Sequence, residues 1–232
     1  MLIDSVENKQ KILDHFLELC VFEGWTKKTL EDAFNKAGIE VKFLPFIFEN
    51  GVVDVADFFI RQIDDKMSED SKAFDFTQMK IRDKIKNLVQ IRLKINAKYK
   101  PQIKQLVSFY FYPKNIRHAL NNAYKTADLM WKIAGDNATD YNYYTKRITL
   151  AKIYVRVIYS FVNDNSENYQ KTLDVLEKEI DKVIQFATFK FKVKNRLNQS
   201  GEVLKKFGKA TKDLRENPKN FIRNLPFFRL YK

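Results

Sequence analysis

The stretch Gly24–Gly51, GWTKKTLEDAFNKAGIEVKFLPFIFENG, decides the fold. Thr26 carries the hydroxyl an N-cap needs, Gly38 sits where a turn must tolerate positive φ, and Pro45 falls in the first turn of a following helix, where proline is tolerated. Helix, glycine turn and helix at this spacing read as a helix-turn-helix module. Just upstream, Leu13, Phe16, Leu17 and Cys20 form the apolar stripe of another helix, with Asp4 and Glu7 as its capping pair and Gly24 as its stop.

Downstream the helical period continues. Val53, Ala56, Phe59 or Ile60, Ile63 and Met67 share a face up to a polar break at Ser68–Lys72. Ile81, Ile85, Leu88 and Val89 mark the next helix, and Pro101 and Pro113 each open another, the second running through Ile116, Leu120, Ala123, Ala127, Met130 and Ala134. After the loop AGDNATD, Asp140 caps an aromatic helix that ends at Asn163–Asn165. Tyr169, Leu173, Leu176, Ile180, Val183 and Ala187 then repeat at three- and four-residue steps, a seam suited to a neighbouring helix or a second subunit. Six Gly and five Pro in 232 residues leave little material for the turns a strand-rich fold needs. The expected fold is all-α, a bundle of about nine to ten helices. The expected organisation is a helix-turn-helix module over 1–67, a helical core over 68–196 and a basic amphipathic tail over 197–232.

Charge is unevenly placed. The chain carries a formal +13, yet residues 1–79 hold 9 basic and 16 acidic side chains, whereas residues 182–232 hold 14 basic and 3 acidic. DNA binding depends on cations that meet phosphates and polar side chains that read base edges. The candidate reading helix, VKFLPFIFE, offers Lys42 and otherwise mainly apolar residues. The module is therefore expected to keep the shape of a DNA reader as a packing element, without specific nucleic-acid binding.

Catalytic chemistry finds little support. Cys20 is the single cysteine, so an intramolecular disulfide and a thiolate metal cluster are excluded. His15 and His118 are the two histidines, with no metal-ligand spacing between them, and the six glycines never gather into a phosphate loop. Asp136 and Asp140 read as loop and cap chemistry. No catalytic residue, metal or cofactor is expected. The opening residues show neither a signal peptide's apolar stretch nor a transit peptide's composition, and no run approaches the roughly 20 apolar residues of a membrane span. They read as a bacterial cytoplasmic start with peripheral contact to the inner membrane. For a processed eukaryotic chain, the matrix side of the mitochondrial inner membrane takes that place.

Two features call for a ligand or a surface. Aromatic residues crowd Phe109–Tyr112 and the helix of Tyr141–Phe161, a spacing compatible with ordinary core or with an apolar tunnel. In the tail, Val203, Phe207, Ala210 and Leu214 recur at steps of four, three and four, with Lys205, Lys206, Lys209 and Lys212 on other faces. Phe221, Phe227 and Phe228 follow among further cations. Each cation near an anionic bilayer contributes about 1 kcal/mol and each inserted Phe about 1.5–3 kcal/mol, enough for reversible peripheral binding. Docking of the tail on the protein itself is the competing expectation.

The segments LELCVFEGWTKKTLEDAFNKAGI (17–39) and TADLMWKIAGDNATDYNYYTKRITLAKIY (126–154) together resemble the coenzyme Q protein nine family, TetR-fold lipid-binding accessory proteins of ubiquinone biosynthesis. The most specific part is MWKIAGDNATDYNYYTKR (130–147). The resemblance implies a TetR-like homodimer without catalytic activity of its own, holding an isoprenoid quinone in an apolar pocket. It also implies a partner, the membrane-associated demethoxyubiquinone hydroxylase. Carried over by position, the partner patch is Met130, Trp131, Asp140, Tyr143 and Tyr144, with Tyr143 where family members can carry Trp. The pocket is assigned to Phe109, Phe111, Tyr112, Tyr154, Ile158 and Phe161. The front module departs from the family, because EVKFLPFIFENG replaces a polar, small-residue turn. Two other readings stay open, a TetR-type transcriptional regulator with an apolar ligand and a general phospholipid carrier.

Overall fold

In the computed structural model, which describes residues 4–136 and 141–197, every regular element is helical. α1 (Val6–Glu23) is capped by Ser5, whose hydroxyl accepts from the Asn8 amide at 3.2 Å. The expected Asp4–Glu7 cap therefore shifts by one residue. Ser5 takes the extended backbone of an N-cap, while Asp4 lies outside and pairs with Lys9. Gly24 ends α1 at φ 74°, its N–H bonded to the Cys20 carbonyl. Thr26 caps α2 (Lys27–Lys36) as expected, accepting from the Thr29 amide at 3.1 Å, and Gly38 turns the chain at φ 71°.

The reading helix is much shorter than the sequence suggests. Residues Val41–Phe43 form a 3₁₀ turn and α3 spans only Leu44–Ile47, with Pro45 in its first turn. Ile47 and the following Phe48 are buried, but Phe46 is exposed, so the expected packing helix is in fact a single turn with one buried side. Phe48 leaves helical geometry at φ −134°, ψ 83°, and the Asp54 carboxylate then accepts from the Asn50 amide at 2.8 Å.

α4 (Val52–Ser71) buries Val52, Val55, Ala56, Phe59, Ile63 and Met67, a stripe one residue earlier at its start than the pattern suggested. It runs through the polar stretch at Ser68 to Ser71, so residue 68 lies inside a helix. α5 (Ile81–Ala97) and α6 (Lys100–Tyr110) follow, Pro101 lying in the first turn of α6. α7 (Ile116–Ile133) begins three residues after Pro113, and α8 (Tyr141–Val162) packs against it. A 3₁₀ turn, Glu167–Tyr169, leads into α9 (Gln170–Leu197). Asp140, the expected cap of α8, lies outside the described residues, as does the tail beyond Leu197 with its expected membrane contacts from Val203 to Phe228.

Residues Met1–Asp181 form one compact unit, and Lys182–Lys232 are a second. In the first, α4 packs against α5 and α7, α7 against α8, and α6 against both α1 and α8. Trp25 pins the front helices to this core. It is buried, its ring meets Phe16 at 4.9 Å and Phe59 at 6.0 Å, and its Nε1 donates to the Gln102 carbonyl of α6 at 3.1 Å. Burying Phe16, Phe34 and Phe59 stabilises the packing by about 1.5–3 kcal/mol each.

Candidate functional site

Where α7 meets α8, a buried cation organises the surface. The Arg147 side chain, only 1% exposed, donates Nε to Asp128 and Nη1 to Asp136 at 3.0 Å and to the Tyr143 carbonyl at 3.1 Å. Its guanidinium also lies over the Tyr143 ring. Lys132 reaches Asp128 at 2.7 Å and Lys146 reaches Asp136 at 2.6 Å, so each carboxylate holds two cations. Burial alone would raise the Asp128 carboxyl. Hydrogen bonds from Lys132, Arg147 and Tyr143 outweigh it and hold the group below the usual carboxylate range. Asp136 is depressed in the same way, burial opposed by Lys146 and Arg147.

Helical geometry explains why these groups meet. Asp128 lies on the last turns of α7, Asp136 on the turn after it, and Lys146 and Arg147 on the second turn of α8. Neighbouring positions on one helix diverge by about 100°, so Lys146 and Arg147 engage Asp136 from two sides.

Around this clamp stand three of the sequence-assigned patch residues. Trp131 is half-buried, its Nε1 donating to the Lys146 carbonyl at 3.2 Å with Lys146 Nζ 5.3 Å over the ring. Tyr143 donates its hydroxyl to Asp128 at 3.0 Å and meets Tyr144 edge-on at 5.1 Å. Tyr144 is 59% exposed. Met130, by contrast, is fully buried in the core and underlies the patch without standing on it. Its position in the apolar stripe of α7 turns it inward.

The six residues assigned to a lipid pocket are divided. Tyr154, Ile158 and Phe161 follow one stripe of α8, with Tyr154 and Phe161 buried and Ile158 half-buried. Phe109 is half-buried and 6.3 Å from Trp25. Phe111 and Tyr112 are exposed at the end of α6, the Phe111 ring 6.5 Å from Tyr159 on α8. None of the six lines the groove that opens between α1 and α4.

Tyr154 belongs to a second polar cluster that the sequence reading missed. Its hydroxyl accepts from Arg92 Nε at 2.6 Å, and Arg92, 3% exposed, sets Nη1 2.8 Å from the Asp64 carboxylate. Thr126 donates to Asp64 at 2.9 Å. Desolvation raises the Asp64 carboxyl, opposed by Arg92 and Thr126. The available signal was Arg92 itself, a cation between Ile91 and Leu93 at a position where α5 turns inward.

The all-helical arrangement of the described residues is a TetR-like fold. The chain shares that fold with a crystal structure of the TetR transcriptional regulator from Nitrosomonas europaea, at TM-score 0.59 and 18% identity over 75% of this chain and 96% of that one.

Residues 116–187, the span of α7, α8 and the first part of α9, match the COQ9 family model. The chain is 27% identical over 208 residues to the mitochondrial ubiquinone biosynthesis protein COQ9 of Bos taurus, covering 87% of this chain and 64% of the relative. It is 25% identical to the human protein of that name over the same shares. The Drosophila melanogaster protein is 24% identical, covering 79% of this chain and 56% of the relative. These findings bear out the resemblance drawn from residues 17–39 and 130–147, and the chain spans about two-thirds or less of the length of these relatives.

Proposed function

We propose that this protein is a non-catalytic accessory of ubiquinone biosynthesis that binds an isoprenoid quinone intermediate and presents it to the membrane-associated demethoxyubiquinone hydroxylase. The observation that carries this reading is a coincidence in space. The residues matched by the family model are those that build the α7–α8 seam, where exposed Tyr144 and half-buried Trp131 and Tyr143 stand on the ion-locked Arg147. Rigid aromatic side chains on a fixed support are the usual anchors of protein interfaces. Catalysis then lies with the partner, and the protein works as a homodimer on an anionic membrane, in a mitochondrion as its named relatives do. The one-turn α3, about 6 Å long, leaves little to insert in a major groove, which supports the accessory over the regulator.

The test is association of the full chain with the hydroxylase. Tyr144→Ala and Trp131→Ala each weaken binding by about 2 kcal/mol, roughly 30-fold, and for Tyr144→Ala the bound lipid and the melting temperature stay as in the parent. Native mass spectrometry identifies the copurified lipid. A phospholipid without quinone favours the general carrier, and a protected operator footprint favours the regulator.

A further inference from the structure

Between α1, α4 and the α5–α6 corner a groove of about 420 Å³ opens to solvent. That volume lies within the range of about 300–1,000 Å³ typical of small-molecule sites. Leu17, Phe59, Ile63 and Ile95 give it an apolar floor, and the Tyr99 ring meets Phe59 edge-on at 5.4 Å.

The polar groups around that floor favour one kind of guest. Asp14 and Glu18 stand one helical turn apart on α1 and both line the groove. Lys66 faces it from α4 but is already committed, its Nζ 3.0 Å from both Glu69 and Asp70. The amide donors are also engaged, Gln62 with Gln10 and Gln10 with Asp14. Gln102 donates Nε2 to the Leu17 carbonyl at 3.1 Å, while its Oε1 is buried without a hydrogen-bond partner among the described residues. Being buried, that oxygen is out of reach of a guest in the groove. His15, also on α1, sets Nδ1 3.6 Å from Glu18 and adds no donor within hydrogen-bond distance.

We propose that this groove is a binding site for a small organic cation, an alkyl- or arylammonium. Its hydrocarbon part lies on Phe59, Ile63 and Tyr99, and its N–H groups are donated toward Asp14 and Glu18. Carboxylate acceptors select an ammonium over a neutral or anionic head of the same chain length. The site is separate from the α7–α8 seam and uses none of the six residues assigned to a quinone lipid, so it stands or falls apart from the accessory reading.

Three probes with one six-carbon chain, hexylammonium, hexanol and hexanoate, test this on the intact protein by calorimetry and by amide chemical shifts. Hexylammonium is expected to saturate, with shifts centred on residues 14–18, 62–66 and 99–102, and to bind at least about tenfold more tightly than hexanoate. The double variant Asp14→Asn, Glu18→Gln, at two exposed positions, lowers that affinity about tenfold and leaves hexanol unchanged. Lys66→Met removes the competing cation and tightens hexylammonium binding. Equal binding of hexanoate, insensitivity to the double variant, or shifts centred away from the groove would each overturn the proposal.

Discussion

Two arginines are buried among the described residues, and their surroundings differ. Arg147 sits between two carboxylates, each of which has a lysine of its own. Arg92 lies deep among α4, α5 and α8 with one carboxylate, Asp64, and a neutral tyrosine hydroxyl. Removing a buried ion's partner costs more than the pair itself contributes, because an uncompensated charge stays behind. The seam of α7 and α8 is thus built with redundancy, whereas the core cluster depends on a single cation. Redundancy suits a surface meant to hold its shape under contact, and the rise in the Asp64 carboxyl shows how incompletely one cation offsets deep burial.

The largest effect is expected from Arg92→Met, a loss of about 3–5 kcal/mol of folding stability in denaturant melts at pH 7. It strands Asp64 with Thr126 alone. A carboxyl whose folded pKa lies above its unfolded one destabilises most above the folded value, and that penalty fades as pH falls toward it. The gap between Arg92→Met and the parent therefore narrows as pH falls from neutral. A gap that widens on acidification would show that Asp64 is not the stranded charge.

Arg147→Met is expected to cost less, about 1–3 kcal/mol, since Lys132 and Lys146 still face the two carboxylates. The gap to the parent again narrows on acidification, but because the parent loses a stabilising contribution and not because the variant sheds a penalty. Asp128 and Asp136 have folded pKa values below their unfolded ones, so their contribution is full above about pH 4 and is lost as pH falls through the folded values. The parent loses this contribution on acidification, and Arg147→Met loses less of it. Hydrogen exchange should quicken around Asp128–Asp136 while α4 and α5 keep their protection. Equal loosening of both regions would end the distinction between the two clusters.

The smallest effects belong to the lysines. Lys132→Met and Lys146→Met each change stability by less than about 1 kcal/mol, as partly exposed ion pairs do. Combined with Arg147→Met, however, either should cost more than the sum of the single changes, because the last cation on a carboxylate is then removed. Strict additivity in that double-mutant cycle would refute the redundancy.

How much of this was legible in the sequence depends on the range of the interaction. Thr26, Gly24 and Gly38 fix local backbone through their own hydroxyl or missing Cβ, so their roles could be read directly. The cap of α1 missed by one residue because Ser5 and Asp4 are both competent, and only backbone conformation separates them. The reading helix came out as a single turn because the exit through Asn50–Gly51 stops it, a choice that periodicity over VKFLPFIFE could not register. The patch residues Trp131, Tyr143 and Tyr144 were placed by resemblance, and Met130 with them, although the apolar stripe of α7 already turned Met130 inward.

The sequence by itself determined an all-helical chain, its main turns, its uneven charge and the family it resembles, because these follow from side-chain chemistry and the helical period. The tertiary structure alone decided which charges would be buried together. Asp64 meets Arg92 across 28 residues and Arg92 meets Tyr154 across 62, while Asp128 meets Arg147 across 19. Nothing in helical period links such positions. Only the packing of α4, α5, α7 and α8 brings them within hydrogen-bond distance, and low-dielectric surroundings then make each pairing consequential.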